Sequence, residues 1–96
     1  MRESDFQAGL IRELKARFPG AVVLKTDPTY IQGFPDLLVL KDSYWAALEC
    51  KRSRAASKRP NQEYYVDMLD RMSFASFIFP ENEEEVLDAL QHSFRS

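Results

Sequence analysis

Asp36, Glu49 and Lys51 are the residues whose types and spacing could do chemistry together. Asp36 opens an apolar run, Leu37 to Leu40, and Glu49-Cys50-Lys51 follows a second run, Tyr44 to Leu48; Lys41, Asp42 and Ser43 join them. A two-residue loop at Asp42 and Ser43 makes the runs an antiparallel hairpin and sets Asp36 opposite Glu49, with both side chains on one side of the sheet. Lys51 shares that side, because strand side chains alternate. Two opposed carboxylates repel, and a sheet built only for stability avoids them. A divalent cation between them removes the repulsion and turns the pair into a metal site.

The donors would be hard oxygens: Asp36, Glu49 and the backbone carbonyl of Cys50. Such a set suits Mg²⁺, which takes few protein ligands and keeps several waters. Hydrolysis of a phosphodiester needs a hydroxide near neutral pH, relief of developing charge and help for the leaving oxygen, all of which a bound Mg²⁺ can supply. Lys51 would stabilise that charge as an ammonium or, as a neutral amine, orient and deprotonate the attacking water. Cys50, between the two polar residues, turns into the core as a small apolar side chain. Any one of these charges alone would pass for a surface ion-pair partner at a strand end. The three in register, beside a basic segment, are read as a site.

That basic segment is residues 51–59, with five cations and no acid. It contributes +5 to a net charge of −2, which leaves −7 on the remainder. Arg52, Arg54, Lys58 and Arg59 are therefore expected to meet a phosphate backbone, and Lys25, ending an earlier strand, to reach another phosphate. The stretch to Lys58 is polar and expected to be mobile. Ninety-six residues form one domain, 1–96, and 45% hydrophobic content supports a real core. The lone cysteine excludes an internal disulfide and suits a reducing compartment. No apolar stretch approaches the roughly 20 residues that span a bilayer, and the N-terminus is not a signal peptide, so a cytoplasmic location without membrane contact is expected.

The elements that must hold these residues are legible. Ser4 or Asp5 is expected to cap a first helix with Phe6, Leu10, Ile11, Leu14 and Phe18 on its apolar face, ended by Pro19-Gly20. Ala21 to Lys25 reads as a strand, and the next segment as a loop in which Gly33 lets DNA or a neighbouring strand come close. After the hairpin, Pro60 opens a second helix carrying Tyr64, Tyr65, Met68, Leu69 and Met72. At most one of the two tyrosines can face solvent with Tyr30 to stack on unpaired bases. Phe74 to Phe79 reads as a fourth strand, ended by Pro80. Glu81 to Glu85 suit the N-terminus of a last helix with Val86, Leu87, Leu90 and Phe94 inward. The order is α-β-β-β-α-β-α. Central strands apolar on both faces predict a three-layer α/β/α sandwich around a mixed sheet.

Pro35-Asp36 followed by Glu49-Cys50-Lys51, within this element order, resembles the PD-(D/E)XK nuclease superfamily, whose fold is restriction-endonuclease-like. More narrowly, the chain is similar to the virus-type replication-repair nuclease (VRR-NUC) domain in its stand-alone phage form. The matching stretches are Glu3 to Gln7, Gly33-Phe34-Pro35-Asp36-Leu37-Leu38, Ala47-Leu48-Glu49-Cys50-Lys51 and Gln62. The resemblance implies an Mg²⁺- or Mn²⁺-dependent endonuclease acting on branched or flapped DNA in phage recombination, repair or replication, with a tendency to homodimerise. It implies metal ligation by Asp36 and Glu49, catalysis by Lys51, an accessory role for Gln62 and a first-helix acid, Glu3, among the catalytic and metal-binding residues. Two other classes compete. A DNA-binding module with a dead centre would bind without cutting, and an interaction domain using Phe74 to Phe79 would leave the basic segment unexplained.

Overall fold

The hairpin folds in the expected register. Strands β2 (Leu37–Lys41) and β3 (Tyr44–Cys50) pair antiparallel, with Lys41 opposite Tyr44 and Leu37 opposite Leu48. Asp42 turns the chain with a positive φ of 55°, a conformation that Asp tolerates better than most residues. This computed structural model describes residues 1–95; Ser96 lies outside them. Around the hairpin, in chain order, are α1 (Glu3–Arg17), β1 (Val22–Lys25), α2 (Pro60–Met72), β4 (Ala75–Ile78), a 3₁₀ turn (Pro80–Asn82) and α3 (Glu83–Ser93). The sheet order is β1-β2-β3-β4, antiparallel except for the parallel β3/β4 pair.

Helices cover both faces, as the doubly apolar strands require. Leu37, Val39, Ala46, Leu48 and Cys50 point into one layer with Phe6, Leu10 and Leu14 of α1 and Val86, Leu87 and Leu90 of α3. Leu38, Trp45 and Ala47 point the other way, against Val66 and Leu69 of α2. Glu49 and Lys51 continue the second set by alternation, so the charged end of β3 lies on the α2 side.

Four boundaries differ from expectation, the first being β1, which begins at Val22 rather than Ala21. Helix α1 starts at Glu3, with Arg2 at the cap and no side-chain cap bond. Asp5 instead lies in the first turn and pairs with Arg2 at 3.3 Å, where its charge opposes the helix dipole. Strand β4 spans Ala75–Ile78 only, though Phe74 O and Ile78 O still accept from Ala47 N and Lys51 N. The last helix is delayed to Glu83 because Asn82 folds back, accepting from Phe79 N at 2.8 Å and donating to Phe77 O.

Residues 26–36, between β1 and β2, are pinned at their ends. Thr26 N donates to Asp36 O, and its hydroxyl donates to Pro35 O at 2.7 Å. Within the loop, Gly33 has φ +87° and lies so close to α2 that an added Cβ would sit 2.7–2.9 Å from Asn61 atoms, one of them backbone. The element that comes this close is a helix and not a neighbouring strand. Gly33→Ala combines left-handed strain with overpacking, so we expect a loss of about 2–4 kcal/mol in urea denaturation.

Candidate active site

Asp36 sits one residue before β2 and Glu49 one before the end of β3, so the ladder sets them opposite each other. Asp36 Oδ2 accepts from Cys50 N at 2.8 Å, which draws its carboxylate over the end of β3. Glu49 is 4% exposed and Lys51 8%, the two buried charged side chains among the described residues. Gln62 joins them. Its Nε2 donates to Glu49 at 3.2 Å, while its Oε1 accepts from Lys51 Nζ at 2.8 Å and from Arg59 N at 3.1 Å. Both ends of the amide therefore have matching partners.

Local sequence explains why Gln62 is there. Pro60 opens α2, Arg59 occupies the cap, and Gln62 is the third helical residue, which bonds back to the cap amide in a capping box. One side chain thus both closes the helix and bridges the two ends of the Glu-X-Lys step.

Burial, then the neighbouring Asp36 charge, push the Glu49 carboxyl up to about 8, against a smaller downward pull from Lys51; a hydrogen bond with Asp36 and the charge of Glu3 add to the rise. Burial likewise pushes up the Cys50 thiol, with Asp36 and Glu49 adding to it, although a bond with Gln7 pulls the other way. A thiol so held is no nucleophile near neutral pH. Its side chain belongs to the α1/α3 core, while its backbone lies between Glu49 and Lys51.

Two clefts meet over these residues. One, of about 420 Å³, is lined by Glu3, Asp36, Glu49, Lys51, Arg52, Arg59 and Gln62 among others. The other, of about 260 Å³, runs from Asp36, Glu49 and Gln62 to Gly33, Phe34 and Asn61. Glu3 thus comes to the rim of the centre from α1. Among the described residues, no three His, Cys, Asp or Glu side chains form a group that could hold an ion. The acidic side chains that the hairpin register itself brings together are the two carboxylates of Asp36 and Glu49. Adjacent carboxylates, one of them strongly raised by burial and by its neighbour, suit a hard cation that would relieve both penalties.

The basic residues divide. Arg52 and Arg59 line the clefts. Arg54 lies over the Phe79 ring at 5.2 Å, and Lys58 over Phe77 at 4.9 Å. With Arg54 N donating to Glu81, these contacts tie down a segment expected to be mobile. Lys25 pairs with Leu37, whose side chain enters the α1/α3 layer, so the register puts Lys25 on the face away from Glu49. Tyr65 packs on Phe34, whereas Tyr64 is exposed. The sequence reading missed the contribution of Phe34 and Asn61 to the cleft walls; the positive φ at Gly33 is the local sign of that contact.

Neither a protein-family model nor a curated protein sequence matches the chain. By structure, the chain is similar to a solved VRR_NUC domain protein, with a TM-score of 0.72 and 17% identity over 99% of this chain and 89% of that one. The shared architecture is the restriction-endonuclease-like α/β fold, a mixed four-stranded sheet with helices on both sides. No helix among the described residues is long and apolar enough to cross a membrane.

Proposed function

We propose that residues 1–96 are a single metal-dependent nuclease domain that hydrolyses phosphodiester bonds in branched or structured DNA, such as a flap or a Holliday junction. Phage recombination, repair or replication in the host cytoplasm is the setting that fits it. The observation that carries this reading is the convergence of Asp36, Glu49 and Lys51 in one cleft, locked together by Gln62. The VRR_NUC likeness of the fold supports the same class.

Asp36, Glu49 and the Cys50 carbonyl would hold Mg²⁺ or Mn²⁺, which when bound would activate water and offset charge on the phosphate. Lys51, fixed by Gln62, donates to the attacking water or to the non-bridging oxygens as negative charge builds. Gln62 keeps Glu49 and Lys51 at a constant separation. Glu3, on the rim, adds negative charge that strengthens attraction for a cation. Arg52 and Arg59 take the phosphates on either side of the cut, and Arg54 and Lys58 form a flanking basic strip. Lys25 would meet only DNA that wraps past the sheet edge.

Edge strand β1 offers a place for a second copy. Val22, Leu24 and Leu40 are exposed on the α2 side, where α2 itself covers β3 and β4. A homodimer through this face would widen the basic surface; sedimentation equilibrium reading a monomer at micromolar concentration rejects it.

Wild type is expected to cut flapped, splayed or four-way DNA with Mg²⁺ or Mn²⁺, and Asp36→Asn to bind without cutting. Salt titration of that variant should lose a slope of about 1.8 when Arg52 and Arg59 are both neutralised. Wild-type binding with no cleavage under either metal would leave a binding module in place of a nuclease.

A further inference from the structure

We propose that the β1–β2 loop carries a subsite for one unpaired nucleobase beside the carboxylate cleft, with Tyr30 as its stacking platform. The proposal rests on the nuclease reading and narrows its substrate to DNA with an unpaired nucleotide next to the cut phosphate.

The subsite is a pocket of about 290 Å³ lined by Thr26, Asp27, Tyr30, Ile31 and Phe34. That volume lies at the small end of the roughly 300–1,000 Å³ of small-molecule sites, enough for a flat heterocycle. Two successive turns shape it. Tyr30 N donates to Asp27 O, and Phe34 N to Ile31 O. Asp27 Oδ1 accepts from both the amide and the hydroxyl of Thr29, which fixes the first turn. The Thr26 bonds to Pro35 and Asp36 then hold the whole loop at a set distance from the proposed metal ligand.

Three observations select the occupant. Phe34 lines both this pocket and the cleft over Asp36 and Glu49, so the pocket adjoins the cleft through one side chain. The pocket holds no cation and has one carboxylate on its rim. It therefore repels phosphate and accepts the exocyclic amine of a base, while Arg52 and Arg59 take the backbone nearby. Tyr30 is 83% exposed and supplies an open ring of the kind on which unpaired bases stack. A fully paired junction has no base free to enter.

The test uses Asp36→Asn protein with splayed-arm DNA carrying 2-aminopurine at successive positions around the branch. One position should be quenched on binding, and Tyr30→Ala should abolish that quenching while Tyr30→Phe keeps it. Tyr30→Ala should weaken splayed-arm binding about tenfold, the size of one base–aromatic stack, and leave duplex binding unchanged. The proposal is overturned by quenching at no position, by equal affinities of the two proteins for splayed DNA, or by an equal loss on duplex. It is also overturned if Tyr30→Ala changes the sedimentation of the DNA-free protein, which would make the patch a contact between copies. Failure of the nuclease reading looks different: wild type does not cut with metal, yet the stacking signal persists. Cleavage that ignores Tyr30 sinks the subsite alone.

Discussion

Lys51→Met is expected to lower single-turnover cleavage by about 10³-fold while DNA affinity stays within about threefold, since a positioned proton donor and charge stabiliser contributes on this scale to rate and little to ground-state binding. The geometry explains the split. Lys51 Nζ is buried against Gln62 on the α2 side of the sheet, whereas Arg52 and Arg59, proposed to take the phosphates, line the open clefts. Methionine preserves most of the stem's packing, so the fold survives. Gln62 has two further partners, Arg59 N and Glu49, to hold it in place when Lys51 is lost. The companion variant Gln62→Ala leaves Lys51 and Glu49 in place but unlocked, and should cost less, about 10–100-fold. Rapid-quench kinetics on a flapped substrate reads both. A Lys51→Met enzyme within tenfold of wild type would remove the lysine from the chemistry.

Without divalent metal, the protein is expected to become less stable as pH rises, and Mg²⁺ to remove that dependence. Glu49 in the folded chain holds its proton to about 8, against 4.5 for an ordinary glutamate. Between those values the folded state binds one proton more than the unfolded state, so raising the pH favours unfolding. The Glu49 contribution is intact below the unfolded value and is lost as pH climbs through the folded one. The slope from this one group is at most about 1.4 kcal/mol per pH unit. Glu83, also raised by burial, tilts the curve the same way, so Glu49→Gln is the control that isolates the site. A cation held at the site would keep Glu49 ionised, which would flatten the curve. Urea melts from about pH 5 to about pH 9, with chelator and then with Mg²⁺, give the answer. A metal-free stability that is flat or rising over this range, or that Glu49→Gln leaves unchanged, contradicts the assignment.

The α/β sandwich and its element order were legible because each element carries its own local signal. The apolar spacing of Phe6, Leu10 and Leu14, the Pro19-Gly20 stop and Pro60 at the start of α2 needed no distant partner. The Asp36–Glu49 opposition was legible for a stronger reason. A two-residue turn leaves a hairpin one register, and period-two alternation then decides which side chains share a face. The facing of Lys25 did not follow, because the long connection 26–36 sets no register between β1 and β2. That pairing depends on how Thr26 bonds to Pro35 and Asp36.

The sequence by itself thus determined which charges share the sheet face at the end of the hairpin, since covalent geometry and strand period act over a few residues. Only the tertiary structure decided what meets those charges. The docking of α2 brings Gln62 between Glu49 and Lys51, and the packing of Gly33 on Asn61 shapes the cleft wall. Phe77 and Phe79 draw Lys58 and Arg54 aside from the clefts that Arg52 and Arg59 line. These contacts join segments far apart in the chain, and their geometry is set by burial and packing, which no local pattern encodes.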